Sequence, residues 1–155
     1  MTAFVLNGRR VESAADPLSR LLDVLRDGLG DVSVKEGCGE GECGACAVLM
    51  NGRLVNSCLV PLEEAEGAEI VTMAGLRETD SGRLLIRSFS REGAVQCGFC
   101  TPGFVMAAEA LLRENPSPSE LQIREGLSGN LCRCTGYDLL VKAVASASRE
   151  GRGLW

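Results

Sequence analysis

The pattern of hydrophobic and polar positions changes period about halfway along the chain. Up to residue 71 the apolar residues fall in short runs of strand length; from about Ser81 they recur at helical spacing, and no further strand pattern follows. Thr2 to Leu6 and Arg9 to Ser13 flank Asn7-Gly8, a pair that predicts a hairpin closed by a type I′ turn. Asp16-Pro17 reads as a helix cap followed by proline at the first helical position. Leu18, Leu21, Leu22 and Leu25 then fall at i, i+3, i+4 and i+7, which predicts an amphipathic helix with a leucine core stripe, ending near Gly28. A second Asn-Gly pair, Asn51-Gly52, joins strand-like runs at 47–50 and 53–57 and pairs Met50 with Arg53 and Cys46 with Ser57. A last strand is expected around Glu69-Ile70-Val71. Strand, strand, helix, then strands again implies a small mixed sheet with one helix across a face.

Four helices are expected after that. Leu84, Leu85, Ile86 and Phe89 belong to the first, which stops near Gly93. Thr101 as cap and Pro102 in the first turn open the second, with Phe104, Ala107, Ala108, Leu111 and Leu112 facing inward and Asn115-Pro116 at its end. Ser117 as cap with Glu120 at the third position makes a capping box for the third, which ends between Gly126 and Asn130. Thr135 and Asp138 make another box for the fourth, whose buried stripe is Leu140, Ala143, Val144 and Ala147. The boundary falls between residues 72 and 80, dividing the chain into units 1–75 and 76–155.

Eight cysteines are distributed over this plan, four in each unit. Cys38, Cys43 and Cys46 stand in the order C, four residues, C, two residues, C, the plant-type spacing for a 2Fe-2S cluster. Gly37, Gly39, Gly41 and Gly44 supply the sharp turns and let bare amides approach sulfur. The Asn51-Gly52 hairpin returns Cys58 beside Cys46, which completes a quartet. In the helical unit Cys97 and Cys100 precede the second helix and Cys132 and Cys134 the fourth, so one plan of helix, cysteine pair and capped helix occurs twice. Two packed helical hairpins would bring the pairs together at helix N-termini, where unpaired amides favour an anionic centre.

Three other readings compete. A disulfide framework suits a secreted chain, but the first residues already alternate as a strand and nothing resembles a signal peptide. Structural zinc normally uses two C-x-x-C knuckles, whereas the first loop sets three cysteines in nine residues among glycines. A C-x-x-C alone also suits a redox thiol pair.

Composition narrows the chemistry further. At 155 residues the chain is one domain or two small ones with modest cores. It has no histidine, which removes a Rieske centre, histidine-ligated haem and an imidazole-activated nucleophile. Its formal charge is −5, and two oxidised clusters on thiolates would carry it to about −9, so nucleic acid is not an expected partner. No apolar run approaches the roughly twenty residues that span a bilayer. A cytoplasmic, reducing environment fits this cysteine usage.

With both cysteine sets in view, the runs GCGEGECGACAV, QCGFCTPG and GNLCRCTGY closely resemble the signature blocks of the small iron-sulfur subunit of the molybdenum hydroxylases, the xanthine dehydrogenase, aldehyde oxidoreductase and carbon monoxide dehydrogenase family. The resemblance covers residues 1 to about 148. It implies an α+β chain: a β-grasp, plant-type 2Fe-2S ferredoxin-like domain, then an all-α four-helix domain with a second 2Fe-2S cluster. The ligands it implies are Cys38, Cys43, Cys46 and Cys58 for one and Cys97, Cys100, Cys132 and Cys134 for the other. It further implies an oxidoreductase in which this chain makes no bond to substrate and carries no catalytic residue. Electrons would run from a molybdopterin on a large subunit, through the Cys97 set and the Cys38 set, to FAD on a medium subunit. The assembly expected is a heterotrimer that dimerises. By position, Gln96 and Cys134 lie against the pterin; the bland alternatives are a surface glutamine and a ligand with no second role. Glu40 and Glu42 read as solvated loop carboxylates. The tail, 149–155, lies outside the motifs and is expected to be either disordered or an interface strap. Two other functions remain open at this stage: a free-standing two-cluster electron carrier and a structural zinc protein. The substrate is not legible.

Overall fold

The computed structural model describes residues 1–155. Its first half is a five-stranded mixed sheet in the order β2-β1-β5-β3-β4. Strands β1 (Thr2–Leu6) and β2 (Arg9–Ser13) form an antiparallel hairpin, Phe4 opposite Val11 and Leu6 opposite Arg9. Asn7 and Gly8 take φ of 50° and 79°, the left-handed pair that a type I′ loop requires. Strands β3 (Ala47–Met50) and β4 (Arg53–Asn56) repeat the device around Asn51 and Gly52, with Met50 opposite Arg53. Between the hairpins β5 (Glu69–Val71) runs parallel to β1 and antiparallel to β3. Strand β4 is one residue shorter than expected, because Ser57 opens a 3-10 turn (Ser57–Leu59). Its N–H still donates to the Cys46 carbonyl at 3.2 Å.

The first helix departs from expectation at its start. Asp16 accepts from the Leu18 N–H at 2.8 Å through its carboxylate and from the Ser19 N–H at 2.9 Å through its carbonyl. Asp16-Pro17 therefore closes a turn instead of capping a helix. Helix α1 (Leu21–Asp23) begins beyond it and runs on into a π-helical stretch (Val24–Gly28). Leu21, Leu22 and Leu25 are buried as predicted; Leu18, left in the turn, is 74% exposed.

Successive side chains of a strand point to opposite faces, and in β3 both faces are covered. Val48 joins Phe4, Ile70 and the α1 leucines in one core, while Ala47 and Leu49 join the core of the helical half. The sheet is thus a wall shared by two cores.

A short helix, α2 (Met73–Leu76), leads into α3 (Asp80–Arg91), whose cap Thr79 accepts from the Gly82 N–H at 3.0 Å. Helices α4 (Thr101–Glu114), α5 (Glu120–Gly126) and α6 (Asp138–Glu150) complete the four-helix unit. Helix α4 is its axis, packed against β3 as well as α3 and α5. Phe104, Val105, Met106, Ala107, Ala108 and Leu112 are buried around most of its circumference, so its pattern is that of an interior helix. Leu111, expected inside with them, is half-buried.

Three caps sit elsewhere than predicted. Cys100 holds the cap position of α4 without a side-chain bond, and Thr101 is already helical. For α5 the capping box is Ser119 with Gln122, not Ser117 with Glu120, because the Asn115 side chain accepts from the Ser117 N–H at 3.2 Å and keeps that residue in a turn. For α6 no Thr135 box forms. Gly136 and Tyr137 both take left-handed φ, 67° and 73°, and the helix starts only at Asp138.

Helix α4 also carries a buried carboxylate. Glu109, 1% exposed, accepts from the Ser81 hydroxyl at 3.0 Å, the Arg113 guanidinium at 2.8 Å and the Trp155 indole N–H at 2.9 Å. The tail is therefore folded back, with the Trp155 ring packed on the helical core. No helix is long and apolar enough to cross a membrane.

Candidate functional site

The loop between α1 and β3 turns on Gly39, Gly41 and Gly44, with φ of 71°, 83° and 70°. Gly37 serves differently, since a methyl there would lie 2.7 Å from the Cys43 sulfur. The amides of Glu40, Glu42 and Cys43 all donate to Cys38 Sγ, at 3.4, 3.2 and 3.4 Å, and the Cys38 amide donates to Cys43 Sγ at 3.3 Å. The two glutamates thus act through their main chain, while their side chains lie exposed. This cradle, Glu40's amide foremost, lowers the Cys38 thiol to about 7. Cys46 and Cys58 are buried beneath it; burial first, then the neighbouring Cys46, pushes Cys58 up to about 11.

The second quartet assembles at the heads of α4 and α6. Cys134 Sγ lies 3.7 Å from Cys97 Sγ on the exposed side, where that neighbour raises the Cys134 thiol. Cys100 and Cys132 pair on the inner side, and burial first, then Cys132, pushes Cys100 up to about 12. Burial alone would raise Cys132 as well. The Thr135 hydroxyl, 3.2 Å from its sulfur, and the Thr135 and Cys134 amides outweigh that and bring it to about 7. Thr135, read from the sequence as a helix cap, spends its hydroxyl on sulfur. Tyr137 accepts from the Cys132 N–H at 3.1 Å, with its ring centroid 6.3 Å from that of Phe104.

Eight sulfurs therefore meet in twos: Cys38 with Cys43, Cys46 with Cys58, Cys97 with Cys134 and Cys100 with Cys132. No three metal-binding side chains gather tightly enough around one point to hold a single ion. Two pairs per site, with amide and hydroxyl donors on sulfur, fit a two-iron cluster in which each iron takes two thiolates, and fit a tetrahedral zinc poorly. A cavity of about 470 Å³ lies between the quartets, lined by Cys43 from one and by Cys97, Cys100, Cys132 and Cys134 from the other. A larger cleft of about 620 Å³ between α5 and α6 is lined by charged side chains and has no cysteine.

Comparison with known proteins agrees with this geometry. A model described as a 2Fe-2S iron-sulfur cluster binding domain matches residues 4–73, and a second, a [2Fe-2S] binding domain, matches residues 72–145. The chain is 48% identical over 142 residues to the small FeS subunit of nicotinate dehydrogenase from Eubacterium barkeri, covering 92% of this chain and 90% of the relative. This chain belongs to the small iron-sulfur subunits of the molybdenum hydroxylases. Another relative is the iron-sulfur-binding subunit of xanthine dehydrogenase from Escherichia coli O157:H7, 46% identical over 149 residues, 93% of this chain and 91% of that one. The crystal structure of quinoline 2-oxidoreductase from Pseudomonas putida 86 superimposes on 97% of this chain and 96% of its own matching chain, at a TM-score of 0.88 and 41% identity. As a family of small subunits within multi-subunit dehydrogenases, these chains work with larger partners.

Gln96, next in sequence to Cys97, is exposed, as are Cys97 and Cys134. The residues that sequence reasoning missed as site residues are Thr135 and Tyr137. Both lie in the GNLCRCTGY block, whose spacing marks the cysteines but not the hydrogen bonds around them.

Proposed function

We propose that this chain is the electron-transfer subunit of a heteromeric molybdenum hydroxylase. It would connect a molybdopterin centre on a large subunit with FAD on a medium subunit, in a cytoplasmic heterotrimer that dimerises. On this reading Cys38, Cys43, Cys46 and Cys58 hold one 2Fe-2S cluster and Cys97, Cys100, Cys132 and Cys134 the other. Each cluster, when bound, supplies a one-electron carrier that needs no proton or substrate bond. The chain's own residues supply position and potential. Amides of the 38–43 loop and the Thr135 hydroxyl donate to sulfur, which stabilises negative charge there. Buried Cys46 and Cys58, and the apolar ring of Phe104 behind Tyr137, keep water from the inner side of each site. Exposed Gln96, Cys97 and Cys134 leave the second site open to a partner, and there Gln96 and Cys134 would meet the pterin.

The observation that supports this reading is that the eight sulfurs fall into close pairs, two in each half, with Cys43 of the first half lining the same cavity as the four cysteines of the second. Iron and sulfide analysis should return four of each per chain, and the dithionite-reduced protein should show two distinct paramagnetic signals. Cys58→Ala should abolish one signal and Cys134→Ala the other. A colourless, zinc-loaded preparation, or one signal removed by both substitutions, would overturn it.

A further inference from the structure

Between residues 1–71 and 77–155 the structure contains two hydrogen bonds and no ion pair. The Leu131 N–H donates to the Cys43 carbonyl at 3.0 Å, and Asn130 Nδ2 donates to the Gly44 carbonyl at 3.2 Å. Both bonds end on the first cysteine loop, and both start immediately before Cys132. The joint therefore ties a residue of one quartet to the neighbour of the other.

Asn130 is 4% exposed, so its amide has no water to fall back on. The Gly44 carbonyl is wedged. A methyl on Gly103, in α4 just after Cys100, would strike that oxygen, and a methyl on Gly44 would strike the Asn130 amide. The segment 72–76 between the halves is tied to the sheet half through Thr72 and Ala74, which bond Asn7, Asp31 and Ser33; the remaining contact is apolar, Ala47 and Leu49 of β3 against the helical core. Apolar contact is non-directional and tolerates sliding, whereas a buried, directed amide bond admits one register.

We infer that Asn130 is a positioning residue that sets the separation of the two cysteine quartets by holding the Gly44 carbonyl against the head of α4. The inference rests on reading both quartets as 2Fe-2S sites. Its test uses the full chain loaded with iron and sulfide and reduced with dithionite. Low-temperature paramagnetic resonance then reads the magnetic splitting between the two centres, which falls with the third power of their distance. Asn130→Asp keeps the side chain's shape but turns an oxygen toward the Gly44 carbonyl; Gly103→Ala displaces the same carbonyl from the opposite side. Both variants should narrow the splitting, while the position of each centre's own signal and the iron content stay at wild-type values. If one variant fails to retain iron, the other decides. Unchanged splitting at full iron loading would overturn the inference, as would loss of iron in both variants, because the joint would then hold ligands instead of spacing them. A wild-type chain without two signals would instead sink the cluster reading, and this inference with it.

Discussion

The β half gathers its four sulfurs on one loop and hairpin, whereas the helical half draws its four from the heads of two helices far apart in sequence. In the first, local conformation suffices. Left-handed glycines turn the chain, three amides of the loop reach one sulfur, and the Asn51-Gly52 turn sets the register that brings Cys58 home. In the second, no loop links the pairs. The approach of Cys97 to Cys134 is inherited from the packing of α3, α4 and α6 around Phe89, Phe104, Leu140 and Val144. One set of sulfurs is thus exposed to local strain and the other to core packing, and substitutions should separate them.

The largest effect is expected from Phe104→Ala. This fully buried ring lies behind Tyr137 at the second site, and its truncation should cost about 3–5 kcal/mol. Iron content should fall by half, the Cys97-set signal should vanish, and the Cys38-set signal should survive. Loss of both signals together would break the comparison and make the halves one cooperative unit through β3. Gly37→Ala should do the reverse with a smaller effect on overall stability. Its methyl meets the Cys43 sulfur at 2.7 Å, so the first signal should shift or weaken while the helical half's melting and the second signal hold. The smallest effect belongs to Arg91→Gln, which removes an exposed pair between α3 and Glu150 at the end of α6. Arg91 holds the Glu150 carboxyl below its ordinary 4.5. The pair's contribution is therefore complete above that value and disappears only as the pH falls through the lowered one. Melting curves should show a slight deficit, constant across neutral pH and closing in acid, with both signals untouched.

The elements that were legible in the sequence are those governed by neighbours along the chain. Two Asn-Gly pairs predict both hairpins and the second one's register, and the cysteine spacing predicts which sulfurs share a loop. What misled was side-chain competition at segment ends. Asp16, Asn115 and Thr135 each had a plausible role as, or next to, a helix cap, yet each bonds something nearer: a turn amide, the Ser117 amide, the Cys132 sulfur. Leu18 fits the leucine stripe by period and is lost from it because the helix starts later. Long-range partners left no periodic trace at all. Nothing in the pattern around Glu109 marks its place beneath Trp155, and Asn130 stands only as the end of the third helix until Gly44 lies against it.

The docked indole has a practical corollary. Trp155 is the chain's single tryptophan, and it sits on the helical core with its N–H held by an interior acid. Ultraviolet emission from this molecule consequently has one address. Its colour and intensity would follow the loosening of the helical half alone, with the sheet half dark at those wavelengths. One cuvette could then separate the melting of each half, with the visible bands of the clusters read alongside.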